Sequence, residues 1–558
     1  PPKPYDEWVA FSNLEGGRRD LRLRPKLKKQ VLLDNIFGVD IDEQAVEVTC
    51  FSLSMKALED LDHTNIHADA SLFNMRILPD FRANVKCGNS LIDTDVSSRF
   101  EERDIEFTRA DRTATNAFNW NRSFPSVMES KRPGFDVVIG NPPYDVVEKE
   151  RGKASWPHWV LTEYVKSDTG AYNSALGGKT NLFRFFMVRS LPLTRTGGHY
   201  GMIVPMAILA DISCARTRQN LLLSSANLVA DCFPQKDNAA RRIFRDAKLS
   251  TVVLCCEKSE GATRETSRVD VRVYPWDSFD DDAQRCSVSV ADAALLDPKN
   301  IPIPLVDEAR WKLCLKLYRH ARVKRLGDVP DYEVTRGEIN QTNYRSYIVG
   351  ASGSGKRRML KGSEVAAFRL QEPKQGEREW FDEASYLKDG SPKSIIKLRR
   401  IATQRITGVD EARRLVATVV DPPMYFADST NSVVSRGDGH SLDYLLGLLN
   451  SKLWNWRFRL TSTNNNVGTN ELNSMPFRCI DQKDAADKRL YKQVVDAVGT
   501  LRKLHVERGA AKGTALTTLD REIDAATDDL DGAIKRFYGL TDPDGDVVLP
   551  PYRSVLTE

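Results

Sequence analysis

Short β-branched runs alternate with amphipathic helical stretches over residues 1–275, and this alternation limits the folds open to the chain. The clearest predicted strands are residues 36–41, 135–139, 200–204 and 250–255. Apolar side chains recur at helical spacing over residues 43–58, behind Asp42 as a suitable N-cap. Strands separated by helices predict an α/β fold with a mostly parallel sheet, whose ligand sites lie at the carboxyl ends of the strands.

The length of the chain calls for more than one domain, because 558 residues exceed a single ordinary core. We predict four segments. Residues 1–275 form the α/β domain, and 276–325 form a connector followed by a helix. The acidic and polar stretch of about 260–305 is predicted to be irregular. Residues 326–480 form a mixed α+β domain, and 481–558 form a helical C-terminal segment.

Composition excludes several classes of protein. The 41% hydrophobic and 28% charged residues are typical of a soluble globular protein, and no apolar run approaches the roughly 18 residues of a membrane helix. The nine cysteines contain no CxxC pair, which favours reduced thiols and a cytoplasmic location. The seven histidines form no HExxH-like pair, so no metal site is predicted.

The strongest local signal is FDVVIGNPPYDVV, residues 135–147. A predicted strand runs into Asn141, Pro142, Pro143 and Tyr144, and the prolines fix φ and end ladder pairing. The Asn141 side chain and the Pro142 carbonyl are expected to converge as two acceptors, which suits an exocyclic amine. Accepting both amine protons localises the nitrogen lone pair for attack on an activated methyl group. The alternative interpretation is an Asn-Pro turn that only closes a strand.

Two upstream segments favour a nucleotide-like cofactor near this motif. Residues 35–46, NIFGVDIDEQAV, have the order strand, acidic residue, helix, which in nucleotide-binding α/β folds places a carboxylate against ribose hydroxyls. Asp40 is that carboxylate. Residues 85–92, VKCGNSLI, end another strand with Asn89, whose amide is suited to read an adenine ring.

Six blocks in one order resemble the amino-methyltransferases that act on DNA adenine, in particular the large methylases of type IIG restriction-modification and phage-exclusion systems. The blocks are NIFGVDIDEQAVEVT, VKCGNSLI, FDVVIGNPPY, GHYGMIVPMAILAD, IFRDAKLSTVVLCCEK and LLGLLNSKLWNWRF. The resemblance implies a Rossmann-like S-adenosylmethionine-dependent methyltransferase domain followed by a target-recognition domain and a helical segment. It implies that Asp40 binds the cofactor ribose, Ile41 packs on its adenine, and Asn89 contacts the adenine amino group.

The same resemblance assigns the target-base site. Asn141, Pro142, Pro143 and Tyr144 would hold the base, with Tyr144 stacking on it, and Phe244 in IFRDAKLS would supply a second aromatic face. Phe233 is a nearby competitor for that role. The physical need is that an adenine must leave the duplex stack before its amino group can react.

A basic run suggests the surface that meets DNA. Residues 393–414, KSIIKLRRIATQRITGVDEARR, contain Lys393, Lys397, Arg399, Arg400 and Arg405 among β-branched residues. We interpret them as strands with a basic face for phosphate contacts, against the alternative of a solvated charged surface. The surrounding region resembles the family's target-recognition domain. The resemblance therefore implies double-stranded DNA as partner, with restriction or defence-system subunits as further partners.

The leading hypothesis is a site-specific methyltransferase that modifies adenine N6 in DNA within a restriction-modification or phage-defence system. Cytosine N4 or a protein amide nitrogen is a close alternative, and a DNA-binding specificity component without independent catalysis is another. Family members place a strand and a Gly-rich loop before the segment equivalent to residues 35–46, whereas residues 1–34 contain only Gly16 and Gly17. We therefore expect the sequence to begin inside the methyltransferase domain and its unaided activity to be weak or absent.

Overall fold

The computed structural model of the chain describes residues 9–13, 19–23, 25–59, 79–147, 157–167, 170–178, 180–235, 239–279, 282–373, 377–389, 394–408, 411, 413–462 and 465–548. The chain divides into two compact units. The first unit comprises Pro1–Val138 and Pro143–Gly198, and the second comprises Ile139–Pro142 and His199–Glu558.

The first unit contains short strands and mostly short helices. Its strands are β1 (Val9–Asn13), β2 (Arg19–Leu23), β3 (Gly38–Asp40), β4 (Val85–Cys87) and the start of β5 (Phe135–Gly140). Its helices are α1 (Pro25–Asn35), α2 (Glu43–Leu58), α3 (Val96–Glu101), α4 (Arg109–Thr115), α5 (Trp120–Ser123), α6 (Pro125–Met128), α7 (His158–Ser167) and α8 (Leu182–Leu193). Strands β1 and β2 pair antiparallel, and β3 and β4 pair parallel.

Helix α2 confirms the helix predicted from the sequence. The Asp42 side chain caps it by accepting a hydrogen bond from the Gln44 backbone N–H at 2.9 Å. Val46 on its inner face packs with Phe81 and with Val85 of β4. This small apolar cluster fixes α2 against the two parallel strands.

An aromatic cluster joins the amino ends of β3 and β5 within the first unit. Phe37 lies 5.5 Å from Phe124 and 5.7 Å from Phe135, measured between ring centroids. Trp120 lies 6.0 Å from Phe135. Edge-to-face and tilted pairs at these distances stabilise beyond their buried area, so the start of β5 is held firmly to the segment that carries β3.

The second unit contains the remaining elements. Its strands are β6 (Thr194–Pro205, which begins in the first unit), β7 (Ser225–Phe233), β8 (Thr251–Lys258), β9 (Arg268–Val273), β10 (Gln284–Ser289), β11 (Val323–Arg325), β12 (Tyr332–Arg336), β13 (Ile348–Val349), β14 (Lys356–Leu360), β15 (Val365–Ala366), β16 (Arg369–Leu370), β17 (Glu379–Asp382), β18 (Arg400–Gln404), β19 (Ala417–Val420), β20 (Tyr425–Phe426), β21 (Thr430–Ser435) and β22 (Pro476–Arg478). Its helices are α9 (Ala207–Ala210), α10 (Ala215–Leu223), α11 (Val290–Leu296), α12 (Glu308–Arg319), α13 (Glu383–Asp389), α14 (Leu442–Asn450), α15 (Lys452–Arg459), α16 (Thr469–Asn473), α17 (Ala485–Ala510), α18 (Thr514–Phe537) and α19 (Asp542–Val548).

The largest sheet has six strands in the order β10-β9-β7-β8-β6-β5. Strand β8 runs antiparallel to both of its neighbours, β6 and β7, and β9 runs antiparallel to β10, whereas β7 and β9 are parallel. The prediction of an α/β class is confirmed, but this sheet is mixed rather than mostly parallel. Spacing of strands and helices along a sequence does not reveal that a late strand such as β8 inserts between two earlier ones.

The segment predicted as an irregular connector is partly regular. Strand β9 has the sequence RVDVRV, with Val269, Val271 and Val273 buried and the residues between them turned outward. Strand β10 follows with Cys286 and Val288 buried. The strict alternation is the signal of a half-buried strand, and the neighbouring acidic stretch hid it. The six-stranded sheet therefore extends past residue 275.

Residues 323–480 form small sheets and short helices. One sheet has the order β12-β21-β18-β19 and is antiparallel throughout, and a second has the order β13-β17-β14-β20. Strands β15 and β16 form a short hairpin, and β11 pairs with β22. This mixture agrees with the α+β character predicted for residues 326–480.

The C-terminal region is a pair of long helices, as predicted. Helix α17 begins at a cap in which Asp484 accepts hydrogen bonds from two backbone N–H groups, and α18 begins after Gly513, which has a φ of +63°. Gly447 of α14 sits where a Cβ atom would lie 2.9 Å from Val498 and 3.4 Å from Leu530. That close approach seats both long helices on α14.

Among the described residues, no helix has the length and apolarity to cross a membrane. Nor does that part of the chain contain a cluster of three or more His, Cys, Asp or Glu side chains that could hold a metal ion.

Candidate functional site

The three predicted cofactor-binding residues lie at one edge, formed by the carboxyl ends of the parallel strands β3 and β4. Asp40, the last residue of β3, pairs in register with Cys87, the last residue of β4. The Gly88 N–H donates to the Asp40 carbonyl at 2.8 Å, and Asn89 follows directly. Because the strands are parallel, their carboxyl ends coincide, and Asp40, Ile41 and Asn89 lie at the same edge.

The Asp40 carboxylate is held in position while it stays exposed. Its Oδ1 accepts a hydrogen bond from the Asp42 backbone N–H at 2.9 Å, so the turn into α2 fixes the side chain. Ile41 beside it is 38% exposed. The edge therefore offers a hydrogen-bond acceptor for hydroxyl groups next to an apolar surface.

Asn89 carries a buried donor for which the described part of the chain supplies no acceptor. The residue is only 4% exposed. Its Oδ1 accepts from the Leu91 backbone N–H at 3.1 Å, which orients the amide, and its Nδ2 is buried without a hydrogen-bond partner. Leaving such a donor unpaired costs about 1–3 kcal/mol, so an acceptor atom on a bound ligand would stabilise this edge.

One further residue at this edge escaped the sequence-based prediction. Asn116 has a left-handed backbone with a φ of +46°, and its carbonyl accepts from the Asn89 N–H at 2.6 Å. Its side-chain amide donates to the Cys87 sulfur at 3.3 Å. The available signal was its position as the C-cap of α4, where asparagine tolerates positive φ.

The NPPY segment leaves β5 next to β6. A Cβ atom on Gly198 would lie 2.9 Å from the Asp136 carbonyl oxygen, and one on Gly140 would lie 2.7 Å from the Met202 sulfur. Residue 198 lies beside residue 136, and residue 202 lies beside residue 140. Residue numbers therefore rise together along the two strands, so β5 and β6 run in the same direction. The ends of both strands thus reach one edge of the six-stranded sheet.

The four motif residues differ in exposure. Asn141 and Pro143 are exposed, Pro142 is buried and Tyr144 is half-buried. Burial raises the pKa of Tyr144 to about 12. The phenol is therefore protonated at neutral pH, and its ring carries no charge that would oppose contact with a neutral base.

Phe244 lies in a turn of the segment that enters β8 at the sheet end where β5 runs into Asn141 and Pro142. The Ala247 N–H donates to the Phe244 carbonyl at 3.2 Å, and the segment then enters β8, whose first residue pairs with the last residue of β6. Ser250 ties this segment to the edge twice. Its carbonyl accepts from the Met206 N–H at 2.9 Å, and its hydroxyl donates to the Pro234 carbonyl at 2.8 Å.

Phe233, the competitor for the stacking role, belongs to the core. It is 3% exposed and stacks on Tyr274 at 5.1 Å between ring centroids with an interplanar angle of 12°. Phe244 is half-buried in its turn. Exposure therefore favours Phe244 over Phe233 as an aromatic face for a ligand.

The predicted DNA-contacting residues differ in exposure. Lys397 and Arg399 are exposed, with Arg399 3.3 Å from the exposed carboxylate of Asp421. Arg405 is half-buried, donates to the Asp428 carbonyl at 3.3 Å, and has its pKa lowered by burial and by Arg336. Lys393 lies outside the described residues.

Arg400 does not fit the predicted phosphate contact. It is 1% exposed, its guanidinium forms a bidentate pair with Glu338 at 2.7 and 3.1 Å, and it lies 3.7 Å above the Phe426 ring. Residues 400–403 of β18 are buried, so this strand lacks the exposed basic face that we expected. Basic residues scattered among β-branched ones in a sequence do not distinguish an exposed arginine from one that is paired inside a sheet.

Comparison with known proteins identifies the region that carries these residues. Residues 34–230 match the family model described as Eco57I restriction-modification methylase. We call residues 34–230 the Eco57I-type domain, after the family that they match. It contains Asp40, Asn89 and the NPPY segment, whereas Phe244 lies after the matched range. The family resemblance found in the sequence is confirmed.

Two curated relatives and one solved structure show how far the similarity extends beyond the Eco57I-type domain. The type II restriction enzyme and methyltransferase RM.Eco57I of Escherichia coli is 21% identical over 604 aligned positions, which cover 94% of this chain and 56% of that protein. The type II methyltransferase M.TthHB8I of Thermus thermophilus is 40% identical over 89 residues, 15% of this chain and 19% of that protein. The type IIL restriction-modification enzyme MmeI, solved in complex with DNA, has a TM-score of 0.51 at 12% identity, covering 96% of this chain and 75% of that one.

The sequence identity and the coverage limit what each similarity shows about this chain. At 12% identity the likeness to MmeI establishes a shared fold. The chain spans little more than half the length of RM.Eco57I, so the activity of that whole protein reaches this chain only as a proposal.

Proposed function

We propose that the Eco57I-type domain, with a Rossmann-like cofactor edge, transfers a methyl group from S-adenosylmethionine to N6 of an adenine flipped out of duplex DNA. The observation that carries this proposal is that β5 runs into Asn141 and Pro142 at the end of the sheet where the segment containing Phe244 enters β8. The match of residues 34–230 to a restriction-modification methylase family also supports it.

The edge formed by β3 and β4 fits the cofactor. The exposed Asp40 carboxylate would accept hydrogen bonds from ribose hydroxyls, and Ile41 would pack on the adenine ring. The buried Nδ2 of Asn89 is a donor, so it would pair with a ring nitrogen of adenine. This differs from the amino-group contact implied by the resemblance, because the buried atom without a partner among the described residues is the donor Nδ2, whereas Oδ1 already accepts from the Leu91 N–H. The cofactor would supply a methyl group activated by a sulfonium.

Asn141 and Pro142 would activate the target nitrogen. The Asn141 side-chain oxygen and the Pro142 carbonyl oxygen would accept the two N–H bonds of the exocyclic amine. These bonds hold the lone pair in line for attack and stabilise the positive charge that develops on nitrogen. Because Pro142 and Pro143 have restricted backbones, the two acceptors are preorganised.

Tyr144 and Phe244 would replace the stacking that the base loses on leaving the duplex. The high pKa of Tyr144 keeps its ring neutral. Lys397 and Arg399, the exposed cations among the described residues of the basic run, would neutralise backbone phosphates. These contacts position the duplex without reading its sequence. A role in a restriction-modification or phage-defence system, in the cytoplasm and with other subunits of such a system, follows as part of the same proposal.

The test is methyl transfer to DNA at stoichiometric protein, so that slow turnover is still counted. The purified chain is incubated with tritiated S-adenosylmethionine and genomic DNA from a host without DNA methylation. We expect label in DNA from the wild type and from Asn121→Ala, a matched variant at an exposed position of α5, and none from Asn141→Ala. Label in protein would contradict the proposal. DNA binding without transfer would instead support the alternative of a specificity component.

A further inference from the structure

A cleft outside the proposed methyl-transfer site is lined by cations. It has a volume of about 620 Å³ and lies where helix α17 passes the β15–β16 hairpin and the edge strand β19. Arg369, Arg502, Lys503 and Arg508 line it, and none of the described residues that line it is acidic. A concave surface with charges of one sign concentrates ions of the opposite sign.

Three of these cations have carboxylate partners behind the cleft. Arg502 lies 3.2 Å from Asp443, Lys503 lies 3.8 Å from Glu507, and Arg508 lies 2.5 Å from Asp520. Those carboxylates do not line the cleft. They reduce the charge of this region without placing an acceptor inside it.

Arg369 differs from the other three cations. Within the part of the chain that the structure describes, its guanidinium has no ion pair or hydrogen bond, and burial and the neighbouring Arg508 lower its pKa. An arginine offers a planar fork of donors. Arg369 lines the cleft, and no described lining residue has a carboxylate that could accept its hydrogen bonds.

His505 adds a second polar group that lacks a partner. Its Nδ1 is buried without a hydrogen-bond partner among the described residues, and its ring stacks on Phe368 with centroids 6.0 Å apart. Burial, followed by Arg369, Arg508 and Arg413, lowers its pKa to about 4, against the opposite effect of Asp520. The imidazole is therefore neutral at neutral pH, as expected in a surplus of positive charge.

We propose that this cleft binds a phosphate group through Arg369. Phosphate oxygens match the arginine fork, and the volume admits a phosphate attached to a larger body. Two sources share this chemistry. One is a backbone phosphate of the DNA, since Arg413 at the end of the basic run lies near His505; the other is a free diphosphate or triphosphate. The DNA source rests on the proposed function, and the phosphate site itself does not.

The first arm of the test uses inorganic pyrophosphate and isothermal titration calorimetry on the full chain. We expect the wild type to bind, and Arg369→Gln to lose affinity by at least about tenfold. Arg345→Gln, at a 75% exposed side chain in the same unit, is the matched control and should bind like the wild type. Lys503→Gln, also at an exposed lining position, is a second variant with an expected loss of about threefold. Equal pyrophosphate affinity in all four proteins, or no binding by the wild type, would overturn the site.

The second arm identifies the source of the phosphate by the salt dependence of binding to duplex DNA. Each phosphate contact contributes a slope of about −0.9 in log K against log salt. If the site takes a DNA phosphate, Arg369→Gln should reduce the magnitude of the slope by about one. An unchanged slope together with lost pyrophosphate binding would assign the site to a free phosphate compound. A chain that binds pyrophosphate at this site but no DNA would contradict the proposed function and leave the phosphate site supported.

Discussion

Single residues carry most of the chemistry that we assign to this chain, and Asn89 is the clearest case. Its amide oxygen accepts from the Leu91 N–H, and its buried amide nitrogen lacks an acceptor in the described part of the chain. A ligand that supplies an acceptor would recover the free energy lost by leaving that donor unpaired. The structure of this one side chain therefore predicts which edge of an adenine it meets.

We predict that Asn89→Ala and Asn89→Asp weaken the binding of S-adenosylhomocysteine by a similar factor of about ten. Both variants lose the N–H donor, although aspartate keeps an acceptor in the same place. Isothermal titration measures the affinities, with Asn121→Ala as a variant that should match the wild type. If Asn89→Asp keeps the wild-type affinity, the partner is the adenine amino group, and Asn89 does not act as a hydrogen-bond donor to the cofactor.

Tyr144 and Phe244 are predicted to act on the target base rather than on the cofactor. Tyr144→Ala and Phe244→Ala should each reduce the fluorescence increase of a 2-aminopurine target by several fold, since each removed ring is worth about 1–3 kcal/mol of stacking. Binding of S-adenosylhomocysteine should stay within about twofold. Phe279→Ala, at an exposed aromatic residue, is the control. Unchanged fluorescence in both variants would contradict a role of these two rings in holding the target base.

At the scale of elements, a buried arginine connects the region after β6 to the segment before α12. The Arg218 guanidinium donates to the carbonyls of Asn300 at 2.7 Å, Ile301 at 3.0 Å and Ile208 at 2.6 Å. The Asn300 side chain donates to the Ala210 carbonyl at 2.8 Å. Helix α9 and the segment around Asn300 are therefore joined by hydrogen bonds to main-chain oxygens.

We predict that Arg218→Met lowers the free energy of unfolding by about 3 kcal/mol, because several buried carbonyl oxygens lose their donor. Burial lowers the pKa of Arg218 to about 10, so the arginine is charged at neutral pH and its bonds are charge-assisted. Thermal unfolding at pH 7 measures the effect. Arg216→Met, an exposed position in the same helix α10, should change the midpoint little. Equal midpoints for the two variants would contradict the connecting role.

Much of the fold was predictable from sequence at this scale, and the failures have physical causes. The cap at Asp42 and the apolar spacing after it gave helix α2 its observed bounds, and the valines before Asn141 gave β5. The order of strands was not predictable, because antiparallel β8 inserts between β6 and β7 through contacts distant in sequence. Strand β9 was missed because an acidic stretch beside it suggested a loop, although its alternating valines carried the signal.

The candidate site likewise contains residues that were predictable from sequence and residues that were not. Asp40, Ile41 and Asn89 were each placed at strand ends by sequence, and the structure brings them to one edge. Arg400 was misjudged, because its partner Glu338 is remote in sequence and only tertiary structure reveals that the pair is buried. Asn116 was missed because its contribution to the edge is a main-chain carbonyl.

At the scale of the whole molecule, the account requires that the chain hold duplex DNA by charge. Among the described residues of the basic run, Lys397 and Arg399 are the exposed cations, and each is expected to neutralise one phosphate. We predict that Lys397→Gln reduces the magnitude of the salt slope of DNA binding by about one, with weakened affinity for every duplex sequence. Fluorescence anisotropy across a salt series measures the slope. Lys488→Gln, exposed on α17, should leave it unchanged, and a similar loss in both variants would mean a diffuse charge effect.

The identity of the methylated base distinguishes methylation of adenine N6 from the other activities considered for this chain. The chain is incubated with S-adenosylmethionine that carries a deuterated methyl group and with unmethylated genomic DNA, and the DNA is digested to nucleosides for mass spectrometry. The account predicts deuterated N6-methyladenine in the wild type and its loss in Asn141→Ala. Deuterated N4-methylcytosine in place of N6-methyladenine, or adenine methylation that survives Asn141→Ala, would contradict it.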